Sequence, residues 1–176
     1  NVRSCKSEVG VLYLDDFNRE VLEKLLADSG LEFTELFPCR TYVFLAAGHP
    51  LAERPLITLE DLAPYPCLSF DQGQSFYLAE EVYSTYHYRQ VIKASDRATL
   101  LNLMVGLDGY TLCSGILCEE LNGDGYRAVP LDSDKIMHIG YVKRQGCVLS
   151  PLAKIYLEEL GRCNVNVLDH PAGPTR

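Results

Sequence analysis

Gly48-His49-Pro50-Leu51-Ala52, then Pro55-Leu56-Ile57-Thr58-Leu59-Glu60-Asp61-Leu62, then Pro66-Cys67-Leu68-Ser69-Phe70 is the stretch that decides the fold. It follows an apolar, β-rich run at residues 42–47. Pro50, Pro55, Pro64 and Pro66 each fix φ and remove a backbone donor, so neither a regular helix nor a central strand passes through them. Read physically, a strand leaves one packed unit, crosses a proline-stiffened connector and enters another. Thr58, with Asp61 three residues on, has the spacing of a capping box for a single helical turn.

Upstream of the connector, residues 9–14 read as a buried strand. Asp15 or Asp16 can cap a helix whose apolar positions Phe17, Val21, Leu22, Leu25 and Leu26 keep a 3.6 period, and Gly30 ends it. Residues 31–37 alternate in strand fashion, and residues 40–47 form a second, more buried strand. Downstream, a strand at 67–70 leads through Asp71-Gln72-Gly73-Gln74-Ser75 to a helix over residues 75–86. Residues 90–94 form a strand, and Ser95-Asp96 caps a helix carrying Leu100, Leu103, Met104 and Leu107. Asp108-Gly109 turns the chain into a strand at 110–113, and Ser114-Gly115 opens a short helix ending near Asn122-Gly123. Strands follow at 126–131 and 136–142. Ser150 caps a last helix that has Pro151 at its first position, Leu152, Ile155, Tyr156 and Leu160 inward, and Gly161 just past its end. Strands alternating with helices predict an open, largely parallel α/β sheet. A return crossing is expected at Asp132-Ser133-Asp134, where the apolar pattern breaks.

The composition suits a soluble globular chain. It has 176 residues, 47% hydrophobic and 23% charged, enough for one good core or two small ones. No apolar run approaches the length of a membrane span, and no charged-then-apolar leader opens the sequence. The first strand begins almost at once and without an initiator Met, which suggests a piece of a longer chain. A formal net charge of −8 repels a phosphate backbone, and Lys143-Arg144 is too small a basic patch to override it. Seven cysteines, mostly with apolar neighbours, read as reduced thiols of a cytoplasmic protein rather than a secreted disulfide framework. Cys113 and Cys118 lack a second Cys or His pair at zinc spacing, so no metal is expected. No cofactor is expected either.

The order of these motifs resembles the effector-binding domain of LysR-type transcriptional regulators. The carriers are His49-Pro50-Leu51-Ala52 followed by Ile57-Thr58-Leu59-Glu60-Asp61-Leu62, then Val105-Gly106-Leu107-Asp108-Gly109 before a strand. Ile139-Gly140-Tyr141-Val142 with Ser150-Pro151-Leu152-Ala153 completes the set. Asp108-Gly109 stands where many members have a bare glycine pair. The resemblance covers nearly the whole chain. It implies two α/β subdomains of type 2 periplasmic-binding-protein kind, joined by a two-segment hinge, with a small effector in the inter-lobe cleft. On that reading residues 1–53 with 135–163 form subdomain I, residues 54–134 form subdomain II, and residues 164–176 are a tail. The winged helix-turn-helix is absent. Val9-Gly10-Val11 resembles a later strand of the first subdomain, so that subdomain is expected to be incomplete.

In open α/β sheets ligands bind beyond the carboxyl ends of strands, where helix N-termini present unpaired N–H groups. The candidate ligand-binding residues are Phe70, Gln72, Gln74 and Ser75, then Asp96 and Arg97, then Ser114, with Tyr13 and Leu14 from the first lobe. Ser75, Asp96 and Ser114 are equally suited to be plain N-caps. Tyr83 and Tyr86 keep helical spacing and read as core rather than as an aromatic cage. His49 belongs to the connector, with a backbone or surface role, and Glu119-Glu120 reads as a solvated helix face.

The reading that follows is a regulatory module, not an enzyme, that senses a small polar or anionic effector. DNA would be reached only through the absent N-terminal domain. The full-length protein is expected to be a homo-oligomer, and no membrane partner is expected. Two alternatives are a solute-binding protein of a transporter and a small α/β enzyme using Cys113 or Cys118.

Overall fold

In the computed structural model the described residues are 1–16, 18–71, 88–116 and 123–162. The chain divides into two units, one made of Asn1–Cys39 with Lys135–Arg176 and the other of Arg40–Asp134.

The first unit is built on a three-stranded sheet. Strand β1 (Gly10–Leu14) pairs antiparallel with β8 (Ile136–Arg144), from Gly10 opposite Val142 to Leu14 opposite His138. Strand β2 (Leu31–Arg40) lies on the other side of β8, so β8 is central. Val2, Leu31 and Val142 are buried together, with Leu12, Leu26 and Phe33 packed against them. Helix α1 (Arg19–Asp28) joins β1 to β2. Its N-cap is Asn18, one turn later than expected, and Asp15 completes a reciprocal pair. The Asp15 N–H donates to Asn18 Oδ1 and the Asn18 N–H to Asp15 Oδ1, each at 2.8 Å. Both side chains are buried, and each meets a backbone donor that would otherwise be orphaned.

The closing helix of this unit runs Pro151–Arg162, later in the chain than two helices of the second unit. Ser150 caps it through Ala153 N–H, which donates to Ser150 Oγ at 3.2 Å. The expected inward face is corrected. Ala153 and Leu157 are buried, whereas Leu152, Ile155 and Tyr156 are exposed. Gly161 lies inside the helix rather than beyond it.

The second unit holds a five-stranded sheet. Its members are β3 (Tyr42–Ala46), β4 (Cys67–Phe70), β5 (Val91–Ala94), β6 (Tyr110–Cys113) and β7 (Tyr126–Pro130), in the order β5-β4-β6-β3-β7. β4 runs parallel to β5 and β6, while β3 runs antiparallel to β6 and β7. The sheet is therefore mixed, not largely parallel. Helix α2 (Leu59–Leu62) is the single turn read from Thr58 and Asp61. Thr58 Oγ1 accepts from the Asp61 N–H at 3.2 Å, and Asp61 Oδ2 accepts from the Thr58 N–H at 3.0 Å. Helix α3 (Arg97–Gly106) buries Leu100 and Met104 against Phe44, Ala46, Leu68 and Ala94. The remaining helix, Pro151–Arg162, is α4.

The first crossing between units differs from the expected one near residue 53. Tyr42–Ala46 pairs with Cys113–Tyr110 and with Pro130–Tyr126, so it belongs to the second unit. The proline segment after it is a run of tight turns within that unit. His49 N–H donates to Ala46 O, Ala52 N–H to His49 O and Arg54 N–H to Leu51 O. Leu51 and Ala52 are buried there. At the far end, Ile57 bridges Leu131 in parallel, and Asp132 N–H donates to Ile57 O at 2.8 Å.

Candidate functional site

Because β4, β5 and β6 are parallel, Phe70, Ala94 and Cys113 end along one edge of the five-stranded sheet. β3 enters at the same edge, with Tyr42 opposite Cys113 and Pro130. The edge thus gathers Phe70, Asp96, Arg97 and Ser114 from the predicted set. Asp71 N–H donates to Ala94 O at 3.0 Å, which ties the first two strand ends together. Gln72, Gln74 and Ser75 lie outside the described residues.

Each gathered residue has a readable local role. Asp96 is the N-cap of α3, with Thr99 N–H donating to Oδ1 at 2.9 Å and Thr99 Oγ1 donating to Oδ2 at 2.8 Å. These bonds, the backbone N–H first, hold its carboxyl below the usual carboxylate range. Its negative charge already offsets the positive end of the helix. Arg97 is exposed at the first helical position, and Ser114 is half-buried.

The turn after β6 is sterically fixed. Gly115 has φ +75, and its N–H donates to Cys113 Sγ at 3.3 Å. A Cβ at Gly115 would lie 2.5 Å from the Tyr42 ring. Tyr42 thus adjoins the turn at this edge; a glycine directly after a buried strand is the sequence signal of such a close approach. Gly115→Ala combines that clash with a left-handed backbone. It is expected to cost about 1–3 kcal/mol by urea denaturation, and to displace Ser114.

In the first unit Tyr13 and Leu14 close β1. Tyr13 is half-buried opposite Ile139, whereas the Leu14 side chain is fully buried and belongs to the core. His49 takes the backbone role expected of it, but from the interior. It is buried, with Nδ1 accepting the Leu51 N–H at 3.0 Å and Nε2 3.0 Å from Asp108 O.

Cys113, weighed above as a nucleophile, is committed to the Gly115 turn, and Cys118 lies outside the described residues. Among the described residues no group of three or more His, Cys, Asp or Glu side chains is placed to hold a metal ion. None of their helices is long and apolar enough to cross a membrane.

The architecture is of an α/β class in which one unit is assembled from two separate chain segments and the other from a single one. The sequence profile of the LysR substrate binding domain matches residues 17–163. The chain belongs to that family. The fold is that of LysR regulatory domains, with type 2 periplasmic-binding-protein-like architecture. The PA01 protein of Pseudomonas aeruginosa is 16% identical, with a TM-score of 0.59 over 92% of this chain and 54% of that one. HinK, a LysR family transcriptional regulator of the same organism, is 16% identical, with a TM-score of 0.60 over the same shares. The effector binding domain of QuiR, in complex with shikimate, is 14% identical, with a TM-score of 0.59 over 91% of this chain and 72% of that one. The chain spans about half the length of the first two. Among curated proteins none matches.

Proposed function

We propose that this chain is the effector-sensing part of a LysR-family transcription factor, taking a small polar or anionic molecule at the carboxyl edge of the five-stranded sheet. The observation that carries the reading is the profile match over residues 17–163 together with the strand ends that place Arg97 and Ser114 on one edge. Phe70, Gln72, Gln74 and Ser75 are assigned to the same site. The ligand of QuiR, shikimate, is a hydroxylated carboxylate, the chemistry that a guanidinium and a serine turn would accept. The domain is assigned no catalytic role. DNA contact belongs to a helix-turn-helix elsewhere in a full-length, oligomeric, cytoplasmic protein. A net charge of −8 makes this chain by itself a poor ligand for DNA.

A thermal-shift screen of small hydroxy-, amino- and aromatic carboxylates tests the site. A ligand at a hundred times its Kd is expected to stabilise the fold by about 2.7 kcal/mol. Calorimetry on Ser114→Ala and Arg97→Gln is expected to show weakening by about 1 kcal/mol or more for each lost hydrogen bond. Tight binding that neither substitution changes would move the site off this edge. Specific, submicromolar DNA binding by the isolated chain in a low-salt gel shift would defeat the module reading.

A further inference from the structure

The first unit carries a cavity of about 290 Å³ lined by Val2, Cys5, Ser7, Glu8, Arg144, Cys147 and Val148, unrelated to the edge described above. Two of its lining side chains are thiols, and both are tied to one guanidinium. Arg144 Nη1 donates to Cys5 Sγ at 2.9 Å, and Arg144 Nη2 donates to Cys147 Sγ at 3.3 Å. Arginine ordinarily spends this fork on a carboxylate. A carboxylate is available in the same cavity, but Glu8 is taken. Its Oε1 accepts the Ser150 N–H at 2.5 Å and its Oε2 accepts Ser150 Oγ at 2.7 Å, at the start of α4.

The two sulfurs arrive from opposite ends of the chain on short turns. Cys5 closes a turn through its N–H to Val2 O at 3.1 Å, and the buried Val2 anchors that turn on the sheet. Cys5 holds a left-handed backbone, φ +57, which is rare for a residue with a Cβ. Cys147 closes the turn after β8, its N–H donating to Arg144 O at 3.2 Å and its carbonyl accepting from Lys143 Nζ at 3.1 Å. Lys143 is itself paired with Glu32. Cys5 is exposed and Cys147 half-buried, while Cys39 and Cys67 are fully buried. One guanidinium thus holds an exposed and a half-buried sulfur side by side, within reach of a dissolved oxidant. The same cation disfavours a bound metal ion between the sulfurs.

We propose that Cys5, Cys147 and Arg144 form an oxidisable dithiol site that a hydroperoxide converts to a Cys5–Cys147 disulfide. The Cys5 thiolate attacks the outer peroxide oxygen. An S–O bond forms, the O–O bond breaks, and the leaving oxygen takes a proton as water or alcohol. The Cys147 thiolate then attacks the sulfenic sulfur, the S–S bond forms, and hydroxide leaves as water. Two electrons pass from the thiols to the peroxide, and the guanidinium steadies the developing oxyanions. The product ties the N-terminal turn to the turn after the central strand of the sheet.

The test is a hydrogen peroxide titration of the folded 176-residue chain, followed by alkylation and non-reducing peptide mapping. The expected result is one cross-linked peptide joining Cys5 to Cys147, lighter by two hydrogens and restored by dithiothreitol. In Cys147→Ser a sulfenic acid trapped by dimedone is expected at Cys5. Arg144→Gln is expected to slow bridging by about tenfold, because it removes the positive charge beside both sulfurs. Alkylation of both cysteines while a bridge forms elsewhere would overturn the proposal. So would bridges only between two copies, or a rate unchanged in Arg144→Gln.

Discussion

Gly140→Ala is expected to destabilise the first unit by about 3 kcal/mol or more, at the upper end of the cost of overpacking. The reason is the position of Gly140 in the central strand. It pairs with Leu12 of β1 on one side, and β2 runs along the other. A Cβ there would lie 2.4 Å from Thr34 O and 2.4 Å from Phe33 Cζ. A side-chain tip can swing away, but a backbone carbonyl inside a sheet can move only if the strands separate. Gly10 supplies the contrast. A Cβ at Gly10 would meet Val2 Cγ2 at 3.1 Å and Val142 Cγ2 at 3.2 Å, both ends of side chains, so Gly10→Ala is expected to cost about 1 kcal/mol or less. Urea denaturation followed by circular dichroism compares the two. The double variant Gly140→Ala with Phe33→Leu separates the obstacles. Full rescue by the smaller side chain would show that the ring, and not Thr34 O, excludes the methyl group.

Gly140 also shows where sequence reading stops. Local chemistry was legible in the chain. The spacing of Thr58 and Asp61 gave the capping box, Ser150-Pro151 gave the start of α4, and Asp96 gave the cap of α3. Each depends on residues within one turn of one another. Long-range pairing was not legible. Residues 31–40 and 42–46 are both strands with only Thr41 between them, yet they belong to different sheets. What assigns Tyr42 to the second sheet is its partners, Cys113 and Pro130, far along the chain. The prolines after it mark tight turns, and tight turns serve a corner within one unit as well as a crossing between two. Helix α4 makes the same point. The period of Leu152, Ile155 and Tyr156 is real, but periodicity locates an apolar stripe without saying what covers it. Ala153 and Leu157 are buried in their place. At the candidate edge, Arg97 and Ser114 followed from the rule about strand ends. Tyr42 did not, because its contact with the Gly115 turn depends on antiparallel pairing that no local pattern specifies.

His49→Ala is expected to cost the second unit about 2–4 kcal/mol, and the wild-type protein is expected to lose stability as pH falls below about 6.5, the ordinary histidine value. Nδ1 accepts the Leu51 N–H, so the ring's proton sits on Nε2, which donates to Asp108 O. The ring also packs against Tyr65, with centroids 4.4 Å apart. Alanine removes that packing and leaves a buried N–H and a carbonyl without their partner. Asp108 has a positive φ, +50, so the ring's bond also steadies a turn that an L-residue adopts reluctantly. A second proton on His49 would have to go to Nδ1 and would displace the Leu51 N–H. Burial pushes the His49 pKa down, against smaller opposing effects of the Asp108 carbonyl and charge. The folded state therefore binds this proton less readily than the unfolded state. Stability is intact above the unfolded value, declines as pH falls through it, and levels off for this group below the depressed folded value. His49→Asn isolates the effect. The Asn side-chain oxygen accepts the N–H two residues on, as asparagine does in turns, but does not titrate. The difference in unfolding free energy between wild type and His49→Asn, measured from pH 8 down to about 4.5, is expected to shrink with acidification, beginning near 6.5. A difference constant across that range would show that His49 carries no proton-linked stability and that the interior assignment of its tautomer is wrong.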